Sequence, residues 1–299
     1  MITRISSTQI RTFLACPRKW HYAYVQGQAQ VFGFAAAVGT VFHAIQEYRM
    51  SNGGKFPTRK QVEAMPGNYE STRKTVRSFP NTWQVAKNMA QQVDPYELEF
   101  INHDNDLKLE YNLQDNPLDL GHGIVAGGYL DIIDMTTHTV IDWKTRKSFG
   151  HAPKTHQGFR DDIQQMYYAA ACSIQFGWEE VGIYHINVKR VEQDRPTAIK
   201  VYGTTFSSDE LRTWWEDVLK GEIVPAMVKA ARSPIEDVAR NTKTCWKYGK
   251  QNPCAYLQTC NPREETNNDL DFNIPLMDTV KNTEVVQDDW FGHITRRRR

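Results

Sequence analysis

The sequence predicts a mixed α/β domain built on one central sheet. Three observations carry that reading. The chain opens on two apolar patterns at helical spacing, and its middle switches to the two-residue period of strands. A further helical pattern then separates those strands from two more. At 299 residues, with 40% hydrophobic and 24% charged side chains, the chain can bury a sizeable core and is too apolar for wholesale disorder.

The first helix starts at Ser6. Ser6 and Gln9 have capping-box spacing, in which hydroxyl and amide each satisfy a backbone donor, and Ile10, Phe13 and Leu14 follow on one face. Trp20 and Tyr24 extend the aromatic content beyond Pro17. A second helix is expected after Gly39, with Val41, Phe42, Ile45 and Tyr48 at helical spacing and His43 off that stripe, beside Gln46 and Glu47. Residues 51–105 are polar and carry breakers such as Gly53, Gly54, Pro57, Pro66, Pro80 and Pro95, which reads as an irregular helical insertion.

Leu107, Leu109, Tyr111 and Leu113 alternate with Lys108, Glu110 and Asn112, the pattern of a half-buried strand with Glu110 on its polar face. A second strand is expected over 124–134, running through Gly127 and Gly128. A third, 139–145, places Val140, Asp142 and Lys144 on one face and Ile141 and Trp143 on the other. A helix over 161–176 is stopped by Gly177, strands follow at 181–189 and 198–205, and Ser207 with Glu210 opens a long helix carrying Trp214, Trp215, Leu219 and Ile223. The folded domain is thus 1–265. Beyond it, 266–299 turns acidic and Asn-rich and ends in four arginines, 296–299, with little to bury.

Charge and cysteine content narrow the function classes. Lys plus Arg is 36 and Asp plus Glu 35, a net charge of +1, so any phosphate binding must come from a local patch rather than bulk charge. No apolar run is long enough to span a bilayer, and the polar start lacks a signal-peptide core, so a cytoplasmic protein is expected, in the host cytoplasm if phage-encoded. Five cysteines form no disulfide framework, and the absence of Cys-x-x-Cys argues against a thiol–disulfide oxidoreductase.

The informative stretch is Gly127-Gly128-Tyr129-Leu130-Asp131 followed by Val140-Ile141-Asp142-Trp143-Lys144-Thr145. Neighbouring strands each deliver a carboxylate, and the second delivers a lysine on the same face. Two carboxylates held together call for a cation, and hard oxygen ligands select Mg²⁺ or Mn²⁺. Such a site hydrolyses phosphate esters when a lysine orients or deprotonates the attacking water. Glu110 could add a third carboxylate. By spacing alone a solvated salt-bridge pair is an equal alternative, and Asp106-Leu107-Lys108 repeats the pattern without a partnering carboxylate strand before it.

Five ordered motifs sharpen the reading. Ser6-Ser7-Thr8-Gln9, Cys16-Pro17-Arg18-Lys19-Trp20, Gly39-Thr40-Val41-Phe42-His43-Ala44, the Asp131 and Asp142-x-Lys144 strands, and Asp162-Ile163-Gln164-Gln165-Met166-Tyr167-Tyr168-Ala169 follow one another and lead to the C-terminal cysteines. Over about 5–262 the chain resembles RecB-type nuclease domains of the PD-(D/E)XK superfamily, in particular members with iron–sulfur cysteines among CRISPR-associated and stand-alone phage exonucleases. The resemblance implies a restriction-endonuclease-like core with a central mixed sheet flanked by helices. It implies His43, Asp131 and Asp142 as metal ligands and Lys144 as the catalytic lysine. Gln164 and Tyr168 match its Gln-x-x-x-Tyr motif, and Glu110 lies where the family often has a strand glutamate.

Cys16, Cys245, Cys254 and Cys260 form a second constellation, since four converging thiolates suit a 4Fe–4S cluster or structural zinc. The resemblance favours 4Fe–4S, although 8 residues separate Cys245 from Cys254 where relatives usually have two. Zn²⁺, or unrelated thiols, is the alternative; Cys172 reads as a small buried apolar residue. Arg18, Lys19, Arg146 and Lys147, with Lys154, Arg160, Lys189 and Arg190, are candidate phosphate contacts. Tyr22, Tyr24, Tyr167 and Trp143 are candidates for base stacking. Solvated charge and aromatic core are the competing readings of these two groups.

The expected function is a metal-dependent DNA nuclease, an exonuclease on single-stranded ends in recombination, repair or phage DNA metabolism. The alternative is a catalytically silent nucleic-acid-binding subunit of a repair or packaging complex. The resemblance leaves open a helicase or recombination partner and a homo-oligomer, and no membrane partner is expected.

Overall fold

The structure is a computed structural model and describes residues 2–28, 33–65, 81–151, 155–191, 196–246 and 253–260. The 266–299 tail with its four arginines, Lys154 and residues 66–80 of the 51–105 segment lie outside the described residues. In chain order the principal elements are β1 (Arg4–Ser6), α1 (Ser7–Ala15), α2 (Pro17–Trp20), α3 (Phe34–Ser51), α4 (Arg59–Glu63), α5 (Thr82–Gln92), β2 (Leu107–Asn112), β3 (Val125–Gly127), β4 (Tyr129–Asp134) and β5 (Thr139–Arg146). There follow α6 (His156–Arg160), α7 (Ile163–Phe176), β6 (Glu180–Lys189), β7 (Ile199–Ser207), α8 (Ser208–Thr213) and α9 (Val224–Arg232). A wider, π-type coil over Trp214–Ile223 joins α8 and α9 into one rod.

Five strands form one mixed sheet in the order β2-β4-β5-β6-β7. Only β5 and β6 run parallel, because α7 carries the chain from one to the other. Period-two alternation then divides the core. Ile133, Val140, Val181 and Ile183 pack with α1, α7 and the 208–232 rod. Ile132, Ile141, Trp143, Ile186 and Val188 pack with α3 and α5 on the opposite face. This is the mixed α/β, restriction-endonuclease-like sandwich expected from the sequence.

Local chemistry explains most boundaries. Ser6 caps α1 by accepting the Gln9 N–H at 3.4 Å, but the Gln9 amide turns away to Arg4 O, so the expected capping box is half formed. Asp162 caps α7 by accepting the Gln164 N–H at 2.9 Å, and Gly177 ends that helix at φ +69°. α3 begins at Phe34, ahead of Gly39. A Cβ on Gly39 would sit 3.1 Å from Thr145 Oγ1, so this glycine lets the helix lie close against β5.

Two strand expectations are corrected. The predicted 124–134 strand breaks at Gly128, whose φ is +145°: β3 pairs in parallel with β1, while β4 joins the main sheet. β2 does not keep one face throughout. Leu107 and Leu109 pack with Ile132 and Ile141, whereas Tyr111 and Leu113 pack with the opposite cluster. The switch occurs at Glu110, a non-glycine residue at φ +46°.

Of the two readings of the aromatic side chains, the structure shows the core one. Tyr22, Tyr167 and Trp143 are buried, and the Tyr167 hydroxyl donates to Ile5 O at 2.7 Å while accepting the Gly127 N–H at 3.0 Å. These rings build the core, and Tyr24 also packs partly buried against it.

Arg49 secures the far layer. It is 5% exposed, donates from Nη1 to Ala90 O at 2.7 Å and Val93 O at 2.8 Å, and pairs with Asp94 at 2.8 Å, so it satisfies the last carbonyls of α5. Arg49→Met is expected to cost about 1.5–3 kcal/mol, because Ala90 O, Val93 O and Asp94 each lose a charged donor while keeping one neutral partner. Urea unfolding should show the lower midpoint with an unchanged slope; a loss below about 0.5 kcal/mol would contradict this role.

Candidate active site

The site follows from register. Glu110 and Asp131 fall at facing positions of β2 and β4, between the pairs Leu109↔Ile132 and Tyr111↔Leu130. Pairing of β4 with β5 stops at Ile132↔Ile141, one position before Asp131 and Asp142 would meet. There the strands part, and Asp131 Oδ2 accepts the Trp143 N–H at 2.7 Å. On the other side Asp142 stands opposite His185 in β6. A row of acidic and imidazole groups therefore crosses four strands at the level where the sheet opens.

α3 adds His43 to that row. Its Nδ1 lies 3.1 Å from Asp131 Oδ1. His43, Glu110 and Asp131 offer ligand atoms within 4.8 Å of one another, and among the described residues no other group of three or more histidine, cysteine or acidic side chains does so. One imidazole nitrogen with carboxylate oxygens is a donor set for Mg²⁺ or Mn²⁺. Asp142 stands outside this triad.

Electrostatics fit a gap built for positive charge. Burial by itself would lower the His43 pKa, but the Asp131 charge and hydrogen bond outweigh it and raise it to about 8. Burial opposes ionisation of Asp131 too, yet His43, Lys144 and the Trp143 N–H hold it below the usual carboxylate range. Burial and then the Asp131 charge push Glu110 up to about 8 and Glu47 up to about 7. The site holds more carboxylates than its side-chain cations neutralise, so it retains protons that a divalent cation would displace.

The Asp142 carboxylate is gripped from several directions. Lys144 Nζ lies 2.6 Å from Oδ2, and Gln164 Nε2 donates to Oδ1 at 2.9 Å. His185 Nε2 lies 3.7 Å from Oδ2, and Arg11 Nη1 reaches Gln164 Oε1 at 3.4 Å. Tyr168 is bonded to Ser7, and burial and then the neighbouring acids Asp142, Asp131 and Glu110 raise its pKa. The geometry brings His43, Glu110, Asp131, Asp142, Lys144, Gln164 and Tyr168 into one neighbourhood.

Over residues 4–261 the chain matches the PD-(D/E)XK nuclease superfamily. The chain belongs to that superfamily. It is also similar to the crystal structure of SSO0001, at 16% identity, with 89% of each chain covered and a TM-score of 0.38, and no residue role is carried over from it. No curated protein matches the chain. Enzymes of the PD-(D/E)XK superfamily cleave phosphodiester bonds with divalent metals and bind DNA.

Three side chains of this PD-(D/E)XK site were not assigned from sequence. Glu47 lies one helical turn beyond His43, and their four-residue spacing on α3 was the available signal. His185 becomes visible only once β5 and β6 are paired. Arg11, with a 52% exposed side chain 3.7 Å from Asp162, sits on α1 between apolar positions.

Elsewhere in this PD-(D/E)XK chain, Cys16, Cys245, Cys254 and Cys260 line one cavity with Lys19, Tyr22 and Arg240. Cys254 N–H donates to Cys245 O at 2.8 Å, and Asn241 N–H points to Cys16 Sγ at 3.4 Å. No three of these sulfurs lie within 4.8 Å of one another, wider than the roughly 3.8 Å between thiolates on one tetrahedral zinc. Burial and then the neighbouring cysteines push Cys245 up to about 11. Cys172 is fully buried and away from the group.

The expected phosphate contacts divide. Arg18 is 8% exposed and donates to Val238 O and Glu236 O at 2.8 Å each, so it ties the C-terminal segment down instead of facing solvent. Arg160 grips Glu210 through two contacts at 2.6 and 2.7 Å. Arg146 is half-buried and bonds Asn187, and Lys19 belongs to the cysteine cavity. Lys147 is exposed beyond the end of β5. No described helix is long and apolar enough to cross a membrane.

Proposed function

We propose that this chain is a Mg²⁺- or Mn²⁺-dependent deoxyribonuclease that acts as an exonuclease on single-stranded ends in recombination, repair or phage DNA metabolism. The observation that carries the reading is the cluster His43–Glu110–Asp131, whose ligand atoms lie within 4.8 Å of one another, beside the Asp142–Lys144 pair on the adjoining strand. A bound divalent cation supplies Lewis acidity toward a phosphoryl oxygen and acidifies water. His43, Glu110 and Asp131 hold it, and Asp142 extends the negative row beside them. Lys144 Nζ orients the attacking water against the phosphate, and Gln164 keeps Asp142 in place through Oδ1. Arg11 and Lys147 meet flanking phosphates. The preference for single-stranded ends rests on the motif resemblance to phage and CRISPR-associated exonucleases.

For the cysteines we propose a structural 4Fe–4S cluster that clips the N-terminal turn at Cys16 to the 245–260 segment. The cavity that all four cysteines line supports a shared metal group, and the motif resemblance favours iron–sulfur over Zn²⁺. Protein purified anaerobically should be coloured and contain iron; a colourless protein with zinc and no iron would contradict the cluster.

End-labelled single- and double-stranded oligonucleotides test the activity. Stepwise shortening of the single strand with Mg²⁺ or Mn²⁺, abolished by EDTA, is expected. Binding without cleavage under either metal would contradict the reading.

A further inference from the structure

Beneath Asp142 lies a pair of buried side chains that the reading above does not use. His185 is 3% exposed and Gln165 is 1% exposed, both on the α7-facing side of the sheet. Polar groups are seldom buried this deeply without a task, since each must find a partner or forfeit its hydration. Gln165 Nε2 lies 3.5 Å from His185 Nδ1, and Phe159 packs edge-on against the imidazole with ring centroids 5.0 Å apart. His185 Nε2 makes no hydrogen bond within ordinary reach and is aimed at Asp142 Oδ2, 3.7 Å away.

The hydrogen positions follow from this arrangement. With the Gln165 amide donating to Nδ1, the imidazole proton resides on Nε2 and points at the carboxylate. Turning the amide over would move that proton to Nδ1 and leave a bare nitrogen lone pair facing Asp142, an unfavourable pairing. Asp142 Oδ2 therefore has two candidate holders, Lys144 at 2.6 Å from the mouth and His185 from the buried side. As Lys144 Nζ turns its N–H groups toward a water at the phosphate its hold on Oδ2 weakens, and His185 is the group left facing that oxygen from the buried side.

We propose that His185, its tautomer fixed by Gln165, is a positioning residue that holds Asp142 from the buried side when Lys144 leaves that carboxylate for the attacking water. The proposal rests on the reading of Asp142 and Lys144 as catalytic. Histidines that orient ligands through a second hydrogen bond typically change metal affinity or activity by about 10- to 100-fold.

The test uses full-length protein with three variants. His185→Met fills the space without a donor, His185→Gln restores a donor near the Nε2 position, and Gln165→Met removes the group that fixes the tautomer. The expected result is a kcat about 10- to 100-fold lower for His185→Met with KM little changed. Activity should recover to within about fivefold of the parent in His185→Gln and take an intermediate value in Gln165→Met. Thermal unfolding of His185→Met should match or exceed the parent, so the loss is not one of folding. A cycle of His185→Met with Asp142→Asn, read by urea unfolding, should show non-additivity whether or not the chain cleaves DNA. Equal kcat in His185→Met and His185→Gln, or an additive cycle, would overturn the role. A parent that cleaves nothing while the cycle stays non-additive would instead overturn the nuclease reading, and the catalytic role with it.

Discussion

Lys144→Ala is expected to lower kcat for DNA cleavage by between about 100- and 1,000-fold, the range for loss of one preorganised donor at the reacting centre. The lysine is the more exposed member of the Asp142 pair: its side chain is 24% exposed, against 7% for Asp142. Lys144→Arg should not rescue, because a planar guanidinium fork does not fit a position that holds a compact ammonium 2.6 Å from Asp142 Oδ2. Deleting the lysine also leaves Asp142 with neutral donors, Gln164 and His185, so thermal unfolding must be followed alongside. Divalent-metal binding should persist, since His43, Glu110 and Asp131 are untouched. A Lys144→Ala protein that cleaves at the parent rate would remove the lysine from the chemistry.

Mn²⁺ affinity is expected to rise at least about 100-fold between pH 6 and pH 8 and to level off above. His43 and Glu110 both titrate near 8 in the metal-free protein, so both carry protons at neutral pH and must lose them to bind a cation. Calorimetry in buffers of different ionisation enthalpy should record proton release. The sign for stability is opposite. His43 is raised above its ordinary 6.5, so its pairing with Asp131 stabilises the metal-free fold below that value and is lost as pH rises through about 8. Glu110 is raised from 4.5 to about 8, so the folded form again binds the extra proton, and its contribution falls over the wider span from about 4.5 to about 8. Metal-free protein should therefore melt lower at pH 9 than at pH 6, and Mn²⁺ should raise the melting temperature more at pH 9. A pH-independent affinity would contradict proton storage at the gap.

Much of the fold was legible because it is local. The two-residue period of 139–145 put Asp142 and Lys144 on one face, and the caps at Ser6 and Ser207 set two helix starts. What stayed hidden depends on pairing between distant segments. Glu110 reverses the facing of β2 through a single left-handed residue, and alternation of residue types cannot show a φ of +46°. Gly128 hands the chain from one sheet to another, which a continuous apolar run conceals. His185 acquires meaning only beside Asp142, through the β5–β6 register. Arg18 looked like a surface cation because no sequence pattern reports that carbonyls 220 and 218 residues away will take its guanidinium.

The most direct measurement is an anomalous difference map from crystals soaked in Mn²⁺. The account predicts a peak within about 2.0–2.3 Å of a His43 ring nitrogen and of Glu110 and Asp131 carboxylate oxygens, with Asp142 alongside. A map with no peak between those three side chains, under conditions where the protein cleaves DNA, would contradict it.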